Sequence, residues 1–231
     1  MTETCQSTNC ADCNRKLSLF QSLTDGQLDK INESRFEIRF GAGETLLKQG
    51  GPLTHIVCLT KGLVKIHIEN HGGSCFIMSV VKPMTLIIGP GFLRDNRHHY
   101  TVTALTESSA CFIQVESFKK VLEDNSQFAL DMIAFINKKI IRHYQNIGNL
   151  AHKHMQGKLA ETLIYLSEDV FQSQEFKSNL SRQDLAELTG LTKESVIRVL
   201  KEWKEEGIVD SNSDYFKILN KDSLFRIGRN G

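Results

Sequence analysis

The chain has little proline, no excess of either charge and no long apolar run. Its formal net charge is +1 over 231 residues, so any affinity for nucleic acid must come from the local placement of charge and not from a basic chain as a whole. No segment approaches the unbroken apolar length that crosses a bilayer, and residues 1–30 carry charges where a signal peptide would be apolar. We therefore expect a cytoplasmic globular protein that does not bind a membrane.

Patterns typical of enzymes are missing too. The sequence has no glycine-rich phosphate-binding motif and no Ser/His/Asp pattern. Cys10 and Cys13 have the spacing of a dithiol redox pair, but no alternation of strands and helices follows them. We therefore do not expect an enzyme.

Residues 36–115 have the pattern of a β domain. In the segment GLVKIHIE the apolar Val64, Ile66 and Ile68 alternate with polar residues, which predicts a strand with one buried face. Glycines separate the alternating runs, where tight turns or positive φ angles are needed. They are Gly41, Gly43, Gly50, Gly51, Gly62, Gly72 and Gly73. Short strands in a roll or barrel fit this pattern better than a βαβ fold.

A long helix is predicted next, from Phe118 to about Asn149. The segment contains no proline, and its apolar residues recur at helical spacing. A stripe of this length exceeds what one small domain needs to cover its sheet, so we predict that it pairs with a second copy of the chain. The residues predicted at this dimer interface are Phe135, Ile136, Ile140 and Ile147. The alternative is a helix buried within its own domain.

The C-terminal segment NLSRQDLAELTGLTKESVIRVLKEWKEEGIV predicts a helix-turn-helix. Ser181 and Asp184 resemble a capping box at the start of a first helix. Gly190 permits a tight turn, and Thr192 is suited to begin a second helix. Beyond Gly207, the segment IVDSNSDYFKIL has a turn between β-prone residues, which is typical of the hairpin of a winged helix.

The second helix of such a motif fits the major groove of DNA. Glu194 and Arg198 are four residues apart and project from one side, where a carboxylate can accept a hydrogen bond from cytosine and a guanidinium can donate to guanine. The alternative is an ordinary surface ion pair between them. The predicted outward face holds Lys193, Glu194, Ile197, Arg198 and Lys201. A binding module without DNA activity would lack outward polar residues here, whereas four of these five side chains are charged.

The order of β-roll, long helix and winged helix, with the segment LSRQDLAELTGLTKESVIRVLKEWKEEGIV, resembles the Crp/Fnr family of bacterial transcription regulators, its FNR-like branch above all. The resemblance implies an α+β protein that binds an inverted repeat of double-stranded DNA as a homodimer and contacts RNA polymerase if it activates transcription. It implies four parts: a cysteine-bearing tail (1–16), a sensor β-roll of the double-stranded β-helix type (17–117), a dimerisation helix (118–150) and a winged helix-turn-helix domain (151–231).

The resemblance also bears on the DNA contacts. In the family an Arg–Gln pair at the start of the first helix and a Glu and an Arg in the second contact DNA. These match Arg182, Gln183, Glu194 and Arg198 here. With the outward face and the second N-cap included, the predicted DNA contacts are Arg182, Gln183, Thr192, Lys193, Glu194, Ile197, Arg198 and Lys201.

Three of the six cysteines lie within the first thirteen residues. Oxygen-sensing members of the family hold a 4Fe-4S cluster with three N-terminal cysteines and a fourth on a late strand of the roll. The resemblance therefore implies a cluster bound by Cys5, Cys10, Cys13 and Cys111, four thiolates being the number such a cluster takes. The spacing C-x4-C-x2-C differs from a short gap followed by a longer one in the best-known members.

Other effectors remain open. Zinc can use the same four cysteines, and haem, as a sensor of NO or another ligand, can bind near His98 and His99. The chain can also sense another small effector, or its cysteines can be a thiol switch or ordinary thiols without a cofactor. Cyclic nucleotides are not expected, because the sequence HHYTVTA stands where such members carry the arginine that grips the cyclic phosphate. Cys58 and Cys75 lie on alternating strands and are interpreted as small buried apolar residues.

Overall fold

The structure is a computed structural model that describes residues 17–70, 72–73 and 75–231. The predicted ligands Cys5, Cys10 and Cys13 lie outside the described residues. The chain divides into two compact units. One contains the described residues up to Val64 together with Val81–Ile140, and the other contains the described residues of Lys65–Val80 together with Ile141–Gly231. These units follow contacts within the chain and divide it at other points than the domain boundaries predicted above.

Strands dominate the region where the alternating pattern predicts them. The described strands there are β1 (Arg35–Phe40), β2 (Thr45–Leu47), β3 (His55–Lys61), β4 (Val64–Glu69), β5 (Cys75–Val81), β6 (Thr85–Ile87), β7 (Thr101–Ala104) and β8 (Ser108–Gln114). In the first unit β1, β8, β3 and β6 are neighbours in that order in one antiparallel sheet, and β2 pairs with β7. The register places Cys58 of β3 directly opposite Cys111 of β8.

Helices cover one face of this sheet in the first unit. They are α1 (Asp25–Glu33), α2 (Val115–Asp124) and the first half of α3 (Ser126–His152). A reciprocal capping box between Thr24 and Gln27 begins α1. The largest fully buried side chains of this core belong to the three helices and to β3, β6 and β8, and they include Leu28, Ile31, Ile56, Leu86, Ile113, Phe118 and Phe128.

The single helix predicted from Phe118 onward is wrong in one respect. The chain forms two helices, and Asn125 lies between them in an extended conformation with φ −137° and ψ 97°. Its side-chain oxygen accepts a hydrogen bond from the Phe128 N–H at 2.9 Å, and its amide nitrogen donates to the Ser22 carbonyl at 2.9 Å. Asparagine competes with helical hydrogen bonding in this way, so α3 starts afresh at Ser126. Among the described helices, none has the length and apolar character needed to cross a membrane.

The second unit carries the predicted helix-turn-helix. Its further elements are α4 (Met155–Tyr165), a π-helical turn (Leu166–Phe171), β9 (Glu175–Lys177), α5 (Arg182–Thr189), α6 (Lys193–Glu205), β10 (Val209–Asn212), β11 (Tyr215–Ile218) and α7 (Lys221–Asn230). The predicted hairpin is β10 and β11, and β9 extends it to a three-stranded antiparallel sheet. Trp203 and Phe216 are almost fully buried in the core of this unit.

Candidate nucleic-acid interface

Local hydrogen bonds form the two helix starts that the sequence predicts. The Ser181 hydroxyl accepts from the Asp184 N–H at 3.0 Å, and the Asp184 carboxylate accepts from the Ser181 N–H at 2.8 Å. Gly190 ends α5 with a φ of 65°, a conformation that favours glycine. Thr192 then accepts from the Ser195 N–H at 3.2 Å. The turn and both caps therefore confirm the helix-turn-helix.

Helix α6 has one buried and one exposed face. Val196, Val199, Leu200 and Trp203 are buried and follow the i, i+3, i+4, i+7 pattern of a helix packed on a core. The opposite side presents the predicted residues Lys193, Glu194, Ile197, Arg198 and Lys201, all of which are exposed. The thirteen-residue helix is therefore held by its inner stripe and leaves its outer face open to a partner.

The exposed side chains of α6 make few contacts of their own. The Arg198 guanidinium lies 3.4 Å from the Met155 sulfur, and the Lys201 ammonium lies 3.9 Å from a Glu205 carboxylate oxygen. Within the part of the chain that the structure describes, Glu194 and Arg198 form no ion pair with each other. Their side chains are therefore available for a partner such as DNA.

The two predicted contacts on α5 differ from each other. Gln183 is exposed, and its amide donates to the Glu187 carboxylate at 3.1 Å. Arg182 is half-buried: its guanidinium carbon lies 5.2 Å from the centre of the Phe216 ring, and Nη2 is 3.4 Å from the Ser211 hydroxyl. Burial lowers the pKa of this guanidinium, although the charge of Asp214 acts in the opposite direction. Arg182 thus packs against the hairpin of β10 and β11, and its contact with DNA stays a prediction.

A salt bridge links the start of α5 to strand β4, and the sequence did not indicate it. Lys65 of β4 lies 2.5 Å from the Asp184 carboxylate, and the two side chains are only 19% and 16% exposed. Burial raises the pKa of Asp184, but hydrogen bonds from Lys65 and Ser181 and the charge of Lys65 outweigh it, so the pKa is lowered. No local pattern marks this pair, because its members are 119 residues apart.

Helix α3 leaves a long apolar face exposed. Its most exposed apolar residues are Leu130, Ile133, Ile140, Ile141, Tyr144 and Ile147. The predicted interface residues Ile140 and Ile147 belong to this face. Phe135 and Ile136 are partly buried against the core of the first unit, and their place at the dimer interface stays a prediction. Ile136 is one turn from both the buried Met132 and the exposed Ile140, so it lies at the edge of the exposed face, whereas Phe135 is turned toward the buried Phe128 and Met132.

The described cysteines occupy different surroundings. Cys111 is half-buried on β8, and Nη1 of Arg35 donates to its sulfur at 3.4 Å. Cys58 is buried, as predicted, but Cys75 is only half-buried, and its sulfur lies 3.6 Å from Nδ1 of the buried His67. Within residues 17–70, 72–73 and 75–231 no three His, Cys, Asp or Glu side chains cluster as metal ligands.

The two adjacent histidines have unlike environments. His98 is buried, and its burial lowers the pKa of the imidazole. His99 is exposed, and its Nε2 lies 2.9 Å from the Asp95 carboxylate. Arg97 directly precedes them, and its guanidinium donates to the Gly50 carbonyl at 2.9 Å. Of the two histidines near which haem could bind, only His99 is therefore open to solvent.

Known proteins resemble this chain over most of its length. The transcriptional activator protein anr of Pseudomonas aeruginosa is 25% identical over 222 residues, which cover 94% of this chain and 91% of that protein. The cAMP-activated global transcriptional regulator CRP of Escherichia coli O157:H7 is 21% identical over 178 residues, or 75% and 85% of the two chains. The structure of FixK2 from Bradyrhizobium japonicum has the same fold, with a TM-score of 0.77 and 18% identity over 84% of this chain and 96% of that one.

Two family models match the two regions in which the fold has just been described. The model described as a cyclic nucleotide-binding domain matches residues 37–125, which include strands β2 to β8 and helix α2. The model described as a Crp-like helix-turn-helix domain matches residues 157–227, which include α5, the turn at Gly190 and α6. The chain belongs to the Crp/Fnr family of DNA-binding transcription regulators.

Proposed function

We propose that the protein regulates transcription by binding an inverted-repeat DNA site as a homodimer, with α6 of each copy in a major groove. The observation that carries the proposal is the exposed outer face of α6, where Lys193, Glu194, Arg198 and Lys201 stand on a helix whose inner face is buried. Such a helix presents side chains to base edges and to the phosphates that flank them.

Base recognition falls to Glu194 and Arg198. Both lie in the first two turns of α6, the part of a recognition helix that reaches furthest into the groove. A guanidinium donates two hydrogen bonds to guanine, and a carboxylate accepts one from cytosine, so the pair suits a G·C base pair. Lys193 and Lys201 extend from the same face and suit phosphate oxygens, which position the protein without selecting a sequence.

The second copy of the chain would pair along α3. The residues Leu130, Ile133, Asn137, Ile140, Tyr144 and Ile147 follow one another at intervals of three and four residues, as the seam of a coiled coil does. Asn137 is the polar member of this seam, and such a residue favours one register of pairing over others. Two-fold pairing of this kind explains why the DNA site would be an inverted repeat, with half-sites about one helical turn apart.

For the signal, we propose a 4Fe-4S cluster held by Cys5, Cys10, Cys13 and Cys111. Two observations support this donor set. The guanidinium of Arg35 beside Cys111 favours the thiolate form, which is the form that binds metal. Leu17, which directly follows the tail, is buried in the same core against which Cys111 packs. When bound, the cluster would supply a redox-active centre.

The DNA-binding proposal is tested by selecting bound sequences from a random pool and measuring the stoichiometry of the complex. We expect an inverted repeat with at least one G·C pair in each half, bound by two copies of the chain. A protein that selects no sequence, or that binds a single half-site as one copy, would contradict the proposal.

The cluster proposal is tested by the spectrum and metal content of anaerobically purified protein. We expect a broad visible absorbance and about four irons per chain. Serine substitution at Cys5, Cys10, Cys13 or Cys111 should abolish iron binding, and Cys58→Ser and Cys75→Ser serve as controls that retain it. A Soret band would indicate haem, colourless protein with zinc would indicate a zinc site, and full iron content in Cys111→Ser would remove Cys111 from the donor set.

A further inference from the structure

One residue on the outer face of α6 is apolar. Ile197 is 46% exposed, whereas the other aliphatic side chains of the helix, Val196, Val199 and Leu200, are buried. The buried stripe is complete without Ile197, so packing within the unit does not explain the presence of an isoleucine there. A large apolar side chain at this position is instead suited to contact an apolar group of a molecule that binds to the outer face of the helix.

The neighbours of Ile197 indicate what that contact is. Lys193 precedes it by four residues and Lys201 follows it by four, so the three side chains form one row along the helix. Two cations that suit phosphates therefore flank one aliphatic side chain. Around the helix axis, Ile197 lies about 60° from Glu194 and about 100° from Arg198. When those two residues meet a G·C pair, Ile197 meets an adjoining base.

The major groove offers such a side chain a specific partner. The edges of the base pairs present hydrogen-bond donors and acceptors there, and thymine alone among the four bases adds an apolar group, its C5 methyl. An isoleucine can neither donate nor accept a hydrogen bond through its side chain. Contact with a thymine methyl removes apolar surface of both groups from water, which is favourable.

We propose that Ile197 reads the C5 methyl of a thymine next to the G·C pair of each half-site. The inference rests on the proposed function, since it requires α6 to lie in the major groove. At this position an apolar contact selects the base, whereas hydrogen bonds of Glu194 and Arg198 select the neighbouring G·C pair. Burial of one methyl group corresponds to a change of about fourfold in affinity.

The test replaces each thymine of the selected half-site, one at a time, by deoxyuridine, which keeps every hydrogen-bonding group and lacks the methyl. We expect one replacement to weaken binding by the parent protein about three- to fivefold. Ile197→Ala should bind the thymine and deoxyuridine sites equally and should resemble the parent on deoxyuridine. Leu219→Ala is the matched control, because Leu219 is an aliphatic residue of the same unit, 51% exposed and outside α6.

The outcomes separate this inference from the function on which it rests. If the parent protein selects a defined half-site but discriminates no thymine from deoxyuridine, the inference is overturned and the proposed function stands. The inference also fails if Ile197→Ala keeps the discrimination of the parent, or if no thymine adjoins the G·C pair in the selected site. If the parent protein selects no sequence, both fail.

Discussion

Helices α3 and α6 are alike in what they bury and different in what they expose. Phe128 and Met132 of α3 are buried, as are Val199 and Trp203 of α6. On the outside, α3 presents a row of apolar residues that includes Ile133 and Ile147, whereas α6 presents mainly charged residues around Arg198.

The difference shows how the exposed face of a helix identifies its partner. An apolar face in water is unfavourable by about 25 cal/mol for each Å² that a partner would cover, so a face like that of α3 is stabilised by another apolar surface, such as its own copy. A charged face is stable in water, and it gains affinity when its cations replace the counterions of a polyanion such as DNA. The buried faces of the two helices, by contrast, indicate only that each helix packs on a core, and they do not distinguish the partners of the exposed faces.

The largest effect is expected from a charge placed on the exposed face of α3. Ile147→Glu should abolish the dimer and with it the binding of an inverted repeat, because a carboxylate buried at the seam is costly unless it is paired. Sedimentation velocity and DNA titration measure both losses. Lys138→Glu is the matched control, since Lys138 is exposed on α3 away from the apolar row. A dimer that survives both Ile140→Glu and Ile147→Glu would refute the pairing.

The next effect is expected at the charged face of α6. Arg198→Ala should cost about 1–3 kcal/mol at the G·C pair and relax the preference for that pair. Selection from a random pool compares the motifs, with Arg229→Ala on α7 as the control for loss of an exposed arginine. An unchanged motif with equal stringency would leave Arg198 as a surface residue without a role in recognition.

The Lys65–Asp184 salt bridge holds the start of α5, against which α6 packs, so its loss should destabilise the unit that carries α6. Since the pKa of Asp184 is lower in the folded protein than in the unfolded chain, its carboxylate stabilises the fold above about pH 4 and ceases to do so as the pH falls further. Asp184→Asn should therefore cost about 1 kcal/mol at pH 7 and reduce the acid sensitivity of unfolding.

Thermal unfolding as a function of pH measures this contribution of Asp184. Asp222→Asn is the control, because Asp222 is an exposed acidic residue in the first turn of another helix, α7. If both variants lose stability in acid as steeply as the parent protein, the salt bridge with Lys65 does not hold α5.

The smallest effect is expected from Lys201→Ala. Loss of one phosphate contact should weaken the binding of all sequences alike and reduce the slope of log affinity against log salt by about one. Titrations at several salt concentrations measure the slope, and Lys119→Ala on α2 should leave it unchanged. A change in the selected motif would instead make Lys201 a base-reading residue.

Several features could be predicted because their causes lie within a few residues. Ser181 and Asp184 form a capping box within one turn of α5, and Gly190 adopts the positive φ angle that ends this helix. The break at Asn125 could not be predicted in the same way, since its side chain is held by Ser22 and Gln27, about a hundred residues earlier. Lys65 likewise looks like an ordinary strand residue until β4 and α5 are brought together.

The two predicted helix faces also differ in how far the sequence alone could predict them. The outer face of α6 follows from helical periodicity alone, and the structure exposes all five of its predicted residues. For α3, periodicity identifies apolar positions but does not say which of them the protein covers itself. Phe135 and Ile136 pack inward, whereas Leu130 and Tyr144, which were not predicted at the interface, are exposed.

By itself, the sequence determined the helix-turn-helix and the β-rich region before it, because caps, turns and alternation act over a few neighbouring residues. The order of these elements also supplied the resemblance to the Crp/Fnr family. Tertiary structure alone decided which side of α3 is left exposed and that Arg182 stacks on Phe216. The physical reason is that the burial of a side chain depends on residues far away in the chain. Those residues decide whether the same apolar or charged side chain is buried in the core, holds a neighbouring element in place or stays exposed to a partner.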